Sequence, residues 1–144
     1  MQKFLIPLLS QFLVTLAQGR TVHEKREESY VWKILDLTRD VIPEENRVEM
    51  SMFILDGSPQ GVYCMVNATA PPNTDLKTWG FANLDCLDND WSVHWGYQSA
   101  NDAGIMTVVS PEKDRDAFFG FNNINSGEQL GNAGPSQVQS CKCG

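Results

Sequence analysis

From Tyr30 onward the chain carries short runs in which apolar residues recur at every second position or are dominated by aromatic and β-branched types. Tyr30-Val31-Trp32-Lys33-Ile34-Leu35 is such a run, and Val48 to Met52 alternates before continuing through Phe53-Ile54-Leu55 to a stop at Asp56-Gly57. Gly61 to Val66 is a third. Trp91 to Tyr97 places Trp91, Val93, Trp95 and Tyr97 on one face and Ser92, His94 and Gly96 on the other. Gly104 to Val109 and Ala117 to Phe121 follow. Turn formers separate these runs: Asp56-Gly57-Ser58-Pro59, Pro71-Pro72-Asn73, Asp88-Asn89-Asp90, Asn101 to Gly104 and Ser110-Pro111. The pattern predicts an all-β domain of six or more short antiparallel strands, a compact β-barrel or closed sandwich, with little helix between residues 30 and 121. Glu112 to Phe118 is the one helix-friendly piece, a turn or two long. Beyond Phe121 turn formers dominate, which reads as a loop pinned by its cysteines.

The first nineteen residues differ in kind. Lys3 precedes an apolar run from Phe4 to Val14, and Ala17-Gln18-Gly19 supplies small residues at a cleavage site, the pattern of a secretory signal peptide. Ser10, Gln11 and Gln18 interrupt the run well short of the roughly 20 apolar residues of a membrane span. Residues 20–29 hold one aliphatic side chain and cannot bury a core, so they read as a solvated N-terminal arm or as a propeptide cut at Lys25-Arg26. Residues 30–144 then form the single β domain. Removing the leader takes one lysine and leaves 125 residues (144 less 19), with ten basic and 18 acidic side chains and a formal charge of −8. Such a surface repels phosphate backbones and anionic headgroups, so neither nucleic acid nor a membrane is expected as partner.

Export changes how the thiols read, because cysteines in an oxidising compartment pair. Cys64, Cys86, Cys141 and Cys143 allow three pairings. A Cys64–Cys86 bridge closes a loop of about twenty residues, worth roughly 3 kcal/mol of denatured-state entropy. A bridge between Cys141 and Cys143 is harder, since two residues of separation give a short ring. Zinc is not expected: one Cys-x-Cys, two distant thiols and two histidines lack the paired spacing of structural sites. Export also makes Asn67-Ala68-Thr69 a usable N-glycosylation acceptor.

Catalytic signals are sparse. His23 lies in the arm, leaving His94 as the imidazole around which a small hydrolase would be built, yet no nucleophile elbow or triad order accompanies it. Asp85, Asp88 and Asp90 crowd one loop without the full ligand spacing of a calcium loop, and read as solvated turn residues. Trp32, Trp79, Trp91, Trp95 and Tyr97 can stack on a sugar or an aromatic ligand if exposed together, and are core if buried. No cofactor or metal is expected.

Tyr30-Val31-Trp32-Lys33-Ile34, a period-two strand, a strand holding Cys64, then Trp79, Cys86 and Trp91-Ser92-Val93-His94-Trp95 together resemble the Alternaria major-allergen family of small secreted fungal proteins. Gly131-Asn132-Ala133-Gly134-Pro135, ahead of Cys141, is similar to that family's glycine-proline loop. The resemblance implies an antiparallel β-barrel that acts as allergen, effector or elicitor without turnover, and it matches Cys64 and Cys86 to one family bridge. The family's second bridge has a partner upstream of the glycine-proline loop, where residues 118–140 here hold no cysteine, so Cys143 has to serve or Cys141 stays unpaired. An early cysteine that joins family dimers is missing too, which leaves a monomer or a non-covalent dimer.

The resulting expectation is a secreted protein that binds a host protein or small ligand and catalyses nothing, with a small apolar-ligand carrier and a hydrolase using His94 as alternatives. Its expected contact surface is three loops: Pro71 to Asp75 with Asn73 and Asp75, Asp85 to Asp90 with Asp85, Asp88 and Asp90, and Asn122 to Ser126 with Asn123.

Overall fold

The computed structural model describes residues 30–144. The expected signal peptide, 1–19, and arm, 20–29, lie outside the described residues. Among the described residues nine strands follow in order: β1 (Val31–Ile42), β2 (Arg47–Leu55), β3 (Val62–Thr69), β4 (Phe81–Asp85), β5 (Ser92–Gln98), β6 (Ala103–Val109), β7 (Arg115–Phe121), β8 (Gly131–Gln137) and β9 (Gln139–Ser140). They form two antiparallel sheets, ordered β3-β2-β1-β8 and β4-β5-β6-β7-β9. The architecture is a sandwich. A barrel is excluded because no ladder closes the seams: at one, the Ser136 hydroxyl donates to the Phe118 carbonyl (2.6 Å), and at the other the Leu87 amide donates to the Met65 carbonyl (2.9 Å). The seam between β3 and the end of β4 also carries the Cys64–Cys86 disulfide, whose Cα atoms are 5.0 Å apart.

The period-two pattern decides which side chains meet between the sheets. Ile34, Met50, Met52, Ile54 and Val66 from one sheet face Val93, Trp95, Met106, Val108 and Ala117 from the other, all buried. Each large aliphatic side chain taken fully out of water contributes roughly 1.5–3 kcal/mol, so this interface carries most of the stabilisation. Two strands keep their phase only through a bulge. In β1 the register shifts between Leu35 and Thr38, with Asp36 at φ 53°, so that Trp32 and Ile34 point inward before the bulge and Leu37 after it. In β4 the shift falls between Phe81 and Leu84, with Asn83 at φ 56°. Aspartate and asparagine tolerate that left-handed conformation better than most residues do.

Two expectations for the C-terminal third are corrected. Glu112 to Phe118 is not helical: Ser110 to Asp114 make a tight turn, in which the Ser110 hydroxyl accepts from the Arg115 amide (3.2 Å), and β7 starts at Arg115. The segment beyond Phe121 is not a loop held only by cysteines, because β8 pairs with β1 and β9 with β7. Neither β8 nor β9 buries an apolar face, so hydrophobic alternation carries no trace of them; their ordering comes from backbone pairing. The structure joins Cys141 to Cys143 despite their separation of two residues, and their amides donate to the carbonyls of Asp114 (2.9 Å) and Lys113 (3.0 Å).

Within the core, the indole of Trp95 lies over Gly104, and a Cβ at that position would run into the ring. Gly120, on the outer face of β7, has open space where its Cβ would stand. Gly104→Ala is expected to cost about 1–3 kcal/mol by overpacking, and Gly120→Ala to fall within about 0.5 kcal/mol of wild type. Chemical denaturation of the two variants checks the contrast.

Candidate functional site

The strand connections collect at two opposite ends of the sandwich, and the predicted contact loops divide between them. At the first end lie the turn 43–46, the loop 70–80, the turn 99–102 and the segment 122–127. The Asn46 side chain joins the turn 43–46 to the loop 70–80 by donating to the carbonyls of Ala70 (2.6 Å) and Pro71 (3.0 Å), and Arg39 ties the other three together. The bulge at Asp36 leaves Arg39 in phase with inward-pointing Leu37, so its guanidinium enters the sandwich end and lies 5.8 Å from the centre of the Trp95 ring. From there it donates to the carbonyls of Leu76 (2.9 Å) and Lys77 (3.2 Å) and to Asn125 Oδ1 (3.2 Å). Asn125 in turn donates to Asp102 from its amide (2.9 Å) and its side chain (2.8 Å). Those two bonds hold the Asp102 carboxyl below the usual carboxylate range against the opposing pull of burial, with smaller contributions from the Tyr97 hydroxyl and Arg39. Asn73, Asp75 and Asn123 are exposed on this framework.

The second end holds the loop 56–61, the loop 86–91, the turn 110–114 and the C-terminal segment. Lys113 organises it, its ammonium donating to Asp85 Oδ1 (3.2 Å), the Asp90 carbonyl (2.8 Å) and Ser92 Oγ (3.0 Å). Asp88 and Asp90 remain exposed beside Leu87. Asp85, Asp88 and Asp90 therefore stand at the opposite end from Asn73, Asp75 and Asn123, and the three loops do not form one surface.

Between the 110–114 turn and the start of β1 lies an open cleft of about 240 Å³, lined among others by Tyr30, Trp32, Trp91, Asp56, Glu112 and Arg115. Trp32 and Trp91 meet edge to face with ring centres 4.9 Å apart. They are mostly core, at 2% and 7% exposure, and the Trp32 indole N–H is buried without a hydrogen-bond partner. Tyr30 is half exposed, and the Arg115 guanidinium sits 5.5 Å from its ring centre. An aromatic face, a cation and two carboxylates thus border one opening, which suits a polar chain segment carrying an aromatic or charged side chain.

The five aromatics singled out in the sequence are not brought together. Trp79, Trp95 and Tyr97 pack at the first end, away from Trp32 and Trp91. His94 is half-buried on the outer face of β5, opposite Thr107, and does not line the cleft. Among the described residues no carboxylate or hydroxyl hydrogen-bonds to it. Asp116, Cys141 and Cys143 bring potential metal-ligating atoms within 4.8 Å of one another, but the two sulfurs are joined in a disulfide and metal binding needs thiolates. Arg39, Asp102 and Asn125 carry the first end and escape sequence reasoning. An arginine between the apolar neighbours Leu37 and Val41 is the one available signal, and it is readable only once the bulge is known.

A family model described as Effector TSP1 matches residues 33–141. The chain belongs to the Effector TSP1 family. The match runs from the third residue of β1 through β9 and includes Cys64, Cys86 and Cys141, while Tyr30, Val31, Trp32 and Cys143 lie outside it. It carries the effector side of the sequence resemblance; the Alternaria major-allergen assignment gains no match of its own. No curated protein matches the chain. Membership of an effector family and the disulfides are consistent with an extracellular protein.

The Asp102 network yields a pH dependence. A carboxyl held below its unfolded value of about 3.9 stabilises the fold above that pH and loses the contribution as pH falls through the lower folded value. Urea midpoints are expected to fall below about pH 4, and Asp102→Asn to show a shallower acid fall than wild type. Parallel urea titrations between neutral and acid pH measure the difference.

Proposed function

We propose that this TSP1-family effector acts by binding a host component through the second end of the sandwich, without turnover. The observation that supports this reading is the placement of exposed apolar side chains. Of the six large apolar side chains that are 40% exposed or more among the described residues, Tyr30, Val31, Phe53, Tyr63 and Leu87 sit in the half of the molecule nearest that end, and the sixth, Phe118, stands at the middle of β7. Grouped exposed apolar side chains with a polar rim mark interaction surfaces on monomeric proteins. Here Asp88, Asp90, Glu112 and Arg115 provide the rim.

The alternatives find less support. A carrier of one apolar ligand needs an interior chamber, whereas the space between the sheets is filled by fully buried Ile34, Leu37, Met50, Met52, Ile54, Met106 and Val108. A hydrolase built on His94 needs a base–nucleophile pair within hydrogen-bond reach, and His94 stands across from Thr107 on the outer face of the sheet. The rigid framework around the second end favours binding: the Cys64–Cys86 bridge fixes the 86–91 loop, and the C-terminal strand and Lys113 fix the 110–114 turn. A surface ordered before binding loses less entropy on association.

Immobilised protein incubated with host extract tests the proposal. Tyr30→Ala, Leu87→Ser and the double change Asp88→Ser with Asp90→Ser are expected to weaken retention of the host component by about tenfold, roughly 1.4 kcal/mol, while leaving stability within about 0.5 kcal/mol. Asp75→Ser with Asn123→Ser, at the first end, and His94→Ala should retain it as wild type does. Loss of activity in His94→Ala alone would give the hydrolase reading its place.

A further inference from the structure

We infer that Asn67 carries an N-linked glycan, and that this glycan shields the stretch of the β3 edge that the described residues leave open. The inference rests on the reading of the chain as an exported effector. Asn67 and Thr69 lie two residues apart on β3, so both side chains project from the same outer face and both are exposed, while Ala68 between them is buried in the core. Among the described residues the Asn67 carboxamide takes part in no hydrogen bond. An attached sugar would displace nothing.

The edge explains why a glycan is useful there. β3 is the outer strand of its sheet, and the backbone groups it turns away from β2 recur at every second residue. The Tyr63 carbonyl accepts from the Asn89 side chain (3.0 Å), and the Met65 carbonyl accepts from the Leu87 amide (2.9 Å). The loop 86–89 that supplies both donors is held against β3 by the Cys64–Cys86 disulfide. The cover ends at Met65. By the same alternation the next outward groups belong to Asn67, and among the described residues no loop reaches them. Unpaired strand edges template association with other chains, and proteins blunt them with bulk or charge. A hydrated oligosaccharide on Asn67 supplies bulk at the position where the loop's protection stops.

The modification needs a polyprenyl-diphosphate-linked oligosaccharide as donor and the transferase of the secretory pathway. Asn67 Nδ2 bonds to the anomeric carbon of the sugar, the carbon–oxygen bond to the diphosphate breaks, polyprenyl diphosphate leaves, and one amide proton passes to a base of the transferase. No oxidant or reductant takes part.

The test is expression of the full chain in a yeast secretory host, with intact mass and peptide mapping of protein from the medium before and after peptide-N-glycosidase treatment. We expect a heterogeneous mass increase on the peptide containing Asn67, removed by the enzyme with conversion of Asn67 to aspartate, abolished in Asn67→Gln and Thr69→Ala, and kept in Thr69→Ser. Analytical ultracentrifugation of the same sample should show more self-association after enzymatic deglycosylation. Secreted protein with an unmodified Asn67 overturns the glycan and leaves the export reading intact; chain retained unmodified inside the cells overturns both. A glycan whose removal leaves association unchanged overturns the shielding role.

Discussion

Every inward contact of this sandwich depends on keeping the two-residue phase of its strands, and β1 and β4 cannot keep it unaided. A strand that slips by one residue sends its whole apolar set to solvent. β1 runs for twelve residues and belongs to the sheet that holds most of the buried aliphatic side chains, so it is the strand where an error of phase costs most. The bulge at Asp36 resets it. Trp32 and Ile34 before the bulge and Leu37 after it all enter the core, and Arg39 is carried inward with them. The arginine is thus a consequence of the same geometry that preserves the core, and its carbonyl and amide partners turn a half-buried cation into the tie that gathers loops 70–80 and 122–127.

The two ends of the molecule are built on different physics. The first is held by charge-assisted hydrogen bonds radiating from Arg39 and Asp102, and its exposed side chains are polar apart from Pro43, Pro71, Pro72 and Ala100. The second is held by covalent bridges and by Lys113, and five of the six large exposed apolar side chains lie towards it. The Cys64–Cys86 bridge has two effects there. It closes the seam between the sheets, and it presses the 86–89 loop over the outward carbonyls of β3, leaving Leu87 and Asp88 presented to solvent. A loop fixed from beneath by a disulfide can vary on its outer side without disturbing the sheet.

The strands that bury one face were legible in the sequence because burial imposes alternation: Val48 to Leu55 and Trp91 to Tyr97 pair and face as their patterns require. The strands that bury little were not. β8, Gly-Asn-Ala-Gly-Pro-Ser-Gln, is ordered by backbone pairing to β1 and carries no side-chain signature, and β4 conceals its phase behind Asn83. Helix propensity misled at Glu112 to Phe118, where Lys113 adopts φ 58° in the turn and pairing with β6 takes the rest. For the candidate site, the acidic residues of the 85–90 loop and the aromatics Trp32 and Trp91 were visible as residue types. Their assembly at one end, and the separation of Asn73, Asp75 and Asn123 at the other, depend on which strand ends point the same way, and that is a property of topology.

Hydrogen–deuterium exchange on the protein in complex with its captured host component tests most directly whether the second end is the contact surface, as proposed. Slowed exchange is expected in the 86–91 loop, the 110–115 turn and the first residues of β1, with unchanged exchange in 71–75 and 122–126. Protection confined to the first end, or to the outer face of β5 around His94, would contradict the proposal.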